Sequence, residues 1–466
     1  MKPKDALLER WETILARRGD APAIFNTHGE AVRTFREIDG RTGDFESKID
    51  QFAPGSVIAV QIGNREEWAS ILIGCLRRGI IVLPFEQSIT VQQRDAALKI
   101  CNASGVVAAA VTGGRDLEVL PMGTLAAATQ SCRRASSLLK LTSGTTSAPR
   151  MIRFRSEQLL ADCDQICDTM GISDVDLNFG VIPISHSYGF SNLLMPLIAR
   201  GIPVALSQDR TPRAVLDDLA RTNATVFPGT PVFYQALCQM ENVPPLPKLR
   251  LFISAGAPLP IATAKRFREK FGLPIHSFYG ASECGGICYD REAANEIEGF
   301  VGAPMKDVDL EIVDANAEQS QVRVRSAAVG DGYFPGVDEE KLGNGVFAPD
   351  DLLARHGSGF KIVGRISDVI NVAGKKVNPA EIEERLLRFP GVRQAVAFGR
   401  ESTFRHQEVA ACVVVDVDLA ENELLEFCRD ALGAWQVPKR IFIVDSIPKN
   451  ERGKISRREL AKRFSA

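Results

Sequence analysis

Short β-branched and apolar runs alternate with helical segments along most of this chain, and that alternation constrains the fold more than any other feature. It implies an α/β protein in which helices cover sheets. Residues 56–62 read as a strand, 80–83 as a second and 105–111 as a third. Between them, Asn64 with Glu67 predicts a helix start and a helix to about residue 78, and Thr90 with Gln93 opens the next. Five further strands are expected at 138–141, 179–182, 225–227, 249–253 and 275–278. Each runs into a loop of small and polar residues, at 142–146, 185–189, 228–230, 254–258 and 279–283. Ligands of open α/β sheets bind outside the carboxyl ends of strands, so five such loops point to one composite site.

The last hundred residues follow another plan. Asn378, Pro379 and Glu381 supply a cap, a first-turn proline and an early acid for a helix. Strands near 392–398 and 409–415, a helix near 421–432 and a strand at 440–444 complete a compact α+β unit starting near Arg365. The expected division is therefore a domain at 1–365 and a second at 366–466. A chain of 466 residues is long enough for both.

Composition narrows the function. Hydrophobic residues at 45% and charged residues at 24% are ordinary for a globular protein. A formal charge of −2 gives no electrostatic case for nucleic acid or an anionic membrane. No apolar run approaches the roughly 18 residues of a membrane span. Lys2, Lys4 and Asp5 interrupt the start of the chain, which argues against a secretory signal. Leu7, Leu8, Trp11, Ile14 and Leu15 fit an amphipathic helix instead. The ten cysteines contain no CxxC pair; Cys163/Cys167 and Cys284/Cys288 are four apart, but the five histidines are scattered. They read as buried thiols in a reducing cytoplasm, not as metal ligands.

The strongest chemical signal is the segment Thr142, Ser143, Gly144, Thr145, Thr146, Ser147, followed by Ala148, Pro149 and Arg150. Gly144 lets backbone N–H groups approach an anion, and the hydroxyls add donors. It is not a Walker loop, since GxxxxGK[ST] occurs nowhere in the chain; neither does GxGxxG.

This segment resembles the phosphate-binding loop of the adenylate-forming superfamily, which includes acyl- and aryl-CoA ligases, luciferases and peptide-synthetase adenylation domains. Further motifs match in order: Ser254 to Pro258, including Gly256 and Ala257; Tyr279, Gly280, Ala281, Ser282 and Glu283; Gly364 and Arg365; Val372 to Pro379; and Pro448 to Lys454. The resemblance implies a large N-terminal domain of layered α/β sheets plus a small mobile α+β C-terminal domain. It implies ATP, Mg²⁺ and CoA, or a carrier-protein phosphopantetheine, as cofactors and cosubstrates. The implied partners are a small carboxylic acid and CoA or an acyl carrier protein, with no nucleic acid and no stable membrane insertion.

By the same resemblance Lys454 bridges the substrate carboxylate and the α-phosphate, where charge must be neutralised. Glu283 holds Mg²⁺ as a hard oxygen ligand. Thr142, Ser143, Gly144, Thr145 and Thr146 contact phosphate; Gly256, Ala257, Pro258, Tyr279 and Gly280 adjoin adenine, with Ser282 beside them. Asp351, chosen over Asp350, accepts the ribose hydroxyls with Arg365. His186 lines the route between acid and thiol, and Gly374 lets backbone pass close to the pantetheine arm. Domain rotation after Arg365 exchanges Lys454 for the 372–376 loop.

The chain departs from the family pattern at Ser147 for glycine, Arg150 for lysine, Ser282 for threonine and Ser367 at the hinge. Amino-acid-activating members of the superfamily carry an aspartate in this region, and none occurs between Phe179 and Ser191, which argues against an α-amino acid. Tyr188, Gly189 and Phe190 resemble the corresponding stretch of benzoate-type ligases, which implies an aryl or medium-sized acyl acid. The expected activity is acid–thiol ligation through an acyl-AMP. Carrier-protein loading, a luciferase-type oxygenase and a non-catalytic nucleotide-binding module are the alternatives.

Overall fold

The computed structural model describes residues 5–109, 117–122, 136–142, 149–294, 296–314, 317–372, 375–402, 406–448 and 455–464. Two compact units emerge. The larger comprises Met1–Ile312, Arg323–Pro349 and Arg355–Lys361; the smaller comprises Val313–Val322, Asp350–Ala354 and Ile362–Ala466. The two short early segments of the smaller unit have no distinguishing pattern in the sequence.

Two sheets organise the large unit. The first has strand order Gly332–Phe334, Met151–Phe154, Leu138–Leu141, Ile81–Pro84, Val57–Gln61, Gly105–Ala109 and Leu117–Pro121. Its middle is parallel and buried on both faces, which is why Val57–Gln61 and Ile81–Pro84 are continuous apolar runs. Thr90 caps its helix as expected, accepting from Gln93 N at 3.2 Å.

Asn64 does not cap. The helix begins at Trp68, and Asn64 is buried with its amide donating to Gly180 O and Ile182 O, each at 3.0 Å. Its oxygen accepts from Ile184 N at 2.9 Å. A long-range backbone bracket has displaced the local cap.

In the second sheet, strands run Ala31–Thr34, Pro22–Phe25, Val204–Leu206, Asn178–Gly180, Val226–Gly229, Leu251–Ser254, Ile275–Ala281, Gly285–Tyr289 and Phe300–Pro304. Val226–Gly229, Leu251–Ser254 and Ile275–Ala281 are parallel and in register at their carboxyl ends, with Gly229 opposite Ser254 and Ser254 opposite Ser277. Edge-to-face rings fix the covering helices: Phe252 lies 4.8 Å and Tyr234 5.2 Å from Phe267. Each such buried ring contributes about 1.5–3 kcal/mol.

In the small unit a sheet has the order Lys375–Val377, Ile370–Val372, His406–Val415, Val392–Ser402, with Arg440–Ile443 also on His406–Val415. Apolar side chains alternate to both faces. Helices Pro379–Leu387 and Glu421–Arg429 cover one core, and Arg457–Arg463 covers the other. Asn378 caps Pro379–Leu387 as its sequence predicts, accepting from Ala380 N at 3.1 Å.

Candidate active site

In the large unit, the second sheet delivers the polar loops after residues 180, 229, 254 and 281 to one edge. The loop after Leu141 comes from the first sheet, so the expected composite site draws on both sheets. At that loop's base Thr142 N donates to Arg150 O at 2.8 Å, and Thr142 Oγ1 does so at 3.0 Å. Ser143, Gly144, Thr145, Thr146 and Ser147 lie outside the described residues.

Tyr279 and Gly280 are not in a loop. The strand continues through Ala281 and pairs with Gly285–Tyr289. The hairpin hydrogen bonds outweigh the turn signal of Tyr-Gly. A Cβ at Gly280 would come within 2.6 Å of Gly285 O, so the close pairing requires glycine. Tyr279 is buried, 8% exposed, while Gly256, Ala257 and Pro258 are exposed beyond Ser254. The Ser254 hydroxyl is buried with no hydrogen-bond partner among the described residues.

His186 is exposed at the start of a short turn, its Nδ1 accepting from Tyr188 N at 3.2 Å. That acceptor role puts the proton of the neutral ring on Nε2. The turn passes into a π-helical stretch, Phe190–Leu194, a geometry frequent at functional sites. Ser187 Oγ donates to Ser282 Oγ at 2.9 Å, joining the histidine loop to the Glu283 hairpin.

The Glu283 carboxylate accepts from the Tyr333 hydroxyl at 3.0 Å, and its backbone O accepts from Gly330 N at 2.9 Å. Burial, then the charge of Glu283, pushes the Tyr333 phenol above its ordinary value, so it stays a proton donor. Behind the hairpin, buried Asp162 accepts from Gly286 N at 3.0 Å and from Ser191 Oγ. Lys140 is buried on Leu138–Leu141, its ammonium 4.7 Å from the Phe154 ring centroid and 5.6 Å from that of Phe190. Burial lowers its pKa.

Sequence reasoning missed Tyr333, Asp162 and Lys140. A signal existed for the first: only five tyrosines occur, and Tyr188, Tyr279 and Tyr333 all fall in this region.

In the small unit Asp351 is 8% exposed and its Oδ1 accepts from Arg365 Nε at 2.7 Å, whereas Asp350 is exposed. Gly374 and Lys454 lie outside the described residues. Cys284 and Cys288 sit on a turn and a strand, not on one helix face. Burial pushes both thiols up, Cys288 to about 12, which leaves no thiolate for catalysis. No His/Cys/Asp/Glu cluster able to hold a metal occurs among the described residues.

The family described as AMP-binding enzyme matches residues 11–334, and its C-terminal domain matches 381–454. The chain belongs to the AMP-binding enzyme family. Among curated relatives, a feruloyl-CoA synthase from an Amycolatopsis species is 27% identical, across 94% of this chain and 95% of the relative. An oxalate–CoA ligase of Arabidopsis thaliana is 27% identical over 88% of this chain and 89% of its own. A 2-succinylbenzoate–CoA ligase of Bacillus velezensis is 25% identical over 92% of both.

ATP-bound MatB from Rhodopseudomonas palustris shares the fold at a TM-score of 0.84, with 21% identity over 98% of this chain and 99% of that one. MenE from Bacillus subtilis in complex with the acyl-adenylate OSB-AMP does so at 0.81, with 22% identity over 98% of both chains. The layered α/β large domain and small α+β domain read from the sequence agree with these structures. The expected class, an AMP-forming acyl- or aryl-CoA synthetase, agrees with the family and its relatives. No helix among the described residues is long and apolar enough to cross a membrane.

Proposed function

We propose that this member of the family joins an aryl or medium-sized acyl acid to CoA in two steps. In the first, a carboxylate oxygen attacks the α-phosphorus of ATP, the bond to the β-phosphate oxygen breaks, and pyrophosphate leaves. In the second, the CoA thiol loses its proton and attacks the acyl carbon; AMP departs with the bonding pair. The observation that carries this reading is the Glu283 hairpin, where a carboxylate, the Ser187–Ser282 hydroxyl pair and the base of the Thr142–Arg150 segment belong to one unit.

The roles follow from chemistry. Thr142, Ser143, Gly144, Thr145 and Thr146 bind the phosphates, and Tyr279 and Gly280, with Gly256, Ala257 and Pro258, bind adenine. The unpartnered Ser254 hydroxyl is a buried polar group suited to a nucleotide atom. Asp351, held by Arg365, receives the ribose. Lys454 neutralises the α-phosphate as it becomes five-coordinate. The Glu283 carboxylate, a hard donor oriented by Tyr333, fits Mg²⁺. Bound there, the cation would neutralise phosphate charge. His186 and Gly374 line the thiol route, and the C-terminal part of the chain, residues 366–466, turns to exchange Lys454 for the 372–376 segment.

Support for CoA over a carrier protein comes from the relatives, which are named CoA ligases or synthases. A carrier protein is acidic and would dock on basic groups, but Arg457 is committed within the small unit, pairing with Asp368 and Glu383. Pyrophosphate release, screened over aryl, short, medium and long-chain acids with and without CoA, tests the reading. Release is expected with one acid class, with a CoA thioester formed, and its loss in Lys454→Ala. Acyl-AMP that accumulates without transfer to CoA turns the assignment to a carrier protein. ATP binding with no acid-dependent release rejects ligation.

A further inference from the structure

Strand pairing puts Tyr333 opposite Ile152, with Phe334 opposite Met151. Arg150 lies two residues before Ile152, on the diagonal from Tyr333 and within reach of a long side chain on the same face. Its guanidinium stacks over the Tyr333 ring at 4.1 Å from the centroid. The ring is 5% exposed, and its hydroxyl donates to Glu283 Oε1 at 3.0 Å. Three side chains thus form a line from the base of the anion-binding segment to the carboxylate.

We propose that Arg150 and Tyr333 are positioning residues that fix the Glu283 carboxylate for the cation accompanying ATP. The guanidinium plane clamps the ring, and the clamped phenol fixes one carboxylate oxygen in place. A lysine at 150 keeps the charge but offers no plane to stack, so the arginine found here has a geometric task of its own. The inference rests on the assignment of Glu283 to Mg²⁺ made above.

The test uses the full chain and reads ATP binding calorimetrically across a MgCl₂ series, with no acid present. Tyr333→Phe keeps the ring and removes the donor; its expected effect is a rise in the Mg²⁺ concentration for half-maximal ATP affinity, by about 10- to 100-fold. Arg150→Lys is expected to shift the same quantity by a smaller factor, and to have no further effect in the Tyr333→Phe background. ATP affinity without Mg²⁺ is expected to be unchanged in Tyr333→Phe, which separates positioning from loss of fold.

An unshifted Mg²⁺ dependence in Tyr333→Phe overturns the proposal. So do additive effects of the two substitutions, which would place Arg150 directly on a phosphate, or wild-type ATP binding indifferent to Mg²⁺. Mg²⁺-dependent ATP binding without acid-dependent pyrophosphate release would reject ligation while leaving this geometry standing.

Discussion

Lys140 rests its ammonium 4.7 Å from the centroid of the Phe154 ring, inside the first sheet, with no carboxylate of the described residues within salt-bridge distance. Burial penalises the charged form and depresses its pKa; the negative fields of Asp162 and Glu283 oppose that only in part. The unfolded chain therefore binds more protons between the depressed value and the ordinary 10.5, and stability rises with pH across that window. Lys140→Met lacks the penalty. It is expected to be more stable than the wild type at neutral pH by about 1 kcal/mol or more, an advantage that shrinks as pH approaches the lysine range. Thermal unfolding over a pH series reads this directly. A Lys140→Met protein less stable by a pH-independent margin would contradict it.

Asn64 satisfies three backbone groups at once, Gly180 O, Ile182 O and Ile184 N. Asn64→Ala leaves all three buried without that partner, and a loss of about 2–4 kcal/mol is expected. The bracket anchors the strand leading to His186, so the KM for the acid should rise more than the KM for ATP. Denaturant titration and steady-state kinetics check the two halves separately.

Gly285 has φ +70°, and a Cβ there would overlap Asp162 Oδ1. Gly285→Ala must displace a buried carboxylate that also holds Gly286 N and Ser191 Oγ. A destabilisation of about 3 kcal/mol is expected, from backbone strain plus overpacking. Wild-type stability in this variant would mean that the hairpin shifts freely, contrary to its ladder.

Within the small unit, Arg457 donates to Ala397 O at 3.0 Å and to Glu383 Oε1 at 2.8 Å, and pairs with Asp368. It lies three residues after Lys454, the lysine proposed above to act in adenylation. Arg457→Gln is expected to slow adenylation by about 100-fold, the usual penalty of a displaced catalytic group. Transfer from preformed acyl-AMP to CoA, which does not use Lys454 in the roles proposed above, should fall far less. Equal losses in both half-reactions would assign Arg457 to folding alone.

What the sequence disclosed was local or motif-borne. Alternation of strand and helix gave the layering, and Thr90 and Asn378 cap where their spacing says, because those bonds close within three residues. Asn64 carried the same local signal and misled, since bonds to residues more than a hundred positions away outweighed the cap. Tyr279 read as a loop because a turn dipeptide is visible in sequence, whereas hairpin pairing with Cys288 is not. The resemblance named Asp351 and Arg365 as two ribose contacts; their hydrogen bond to each other is a further contact that only the structure discloses. Asp162 carried no signal and Tyr333 only its rarity, for one reason: each acts on Glu283 or its neighbours from more than forty residues away, through a contact only packing creates.

The Thr142–Arg150 contact has a meaning beyond the hydrogen bonds themselves. Leu141 opposite Met151 continues the ladder directly behind it, so the ends of the anion-binding segment are joined by the sheet before any nucleotide arrives. The entropy of bringing those two residues together is lost during folding and is not left to any ligand. The root of the segment therefore cannot drift without breaking strand register.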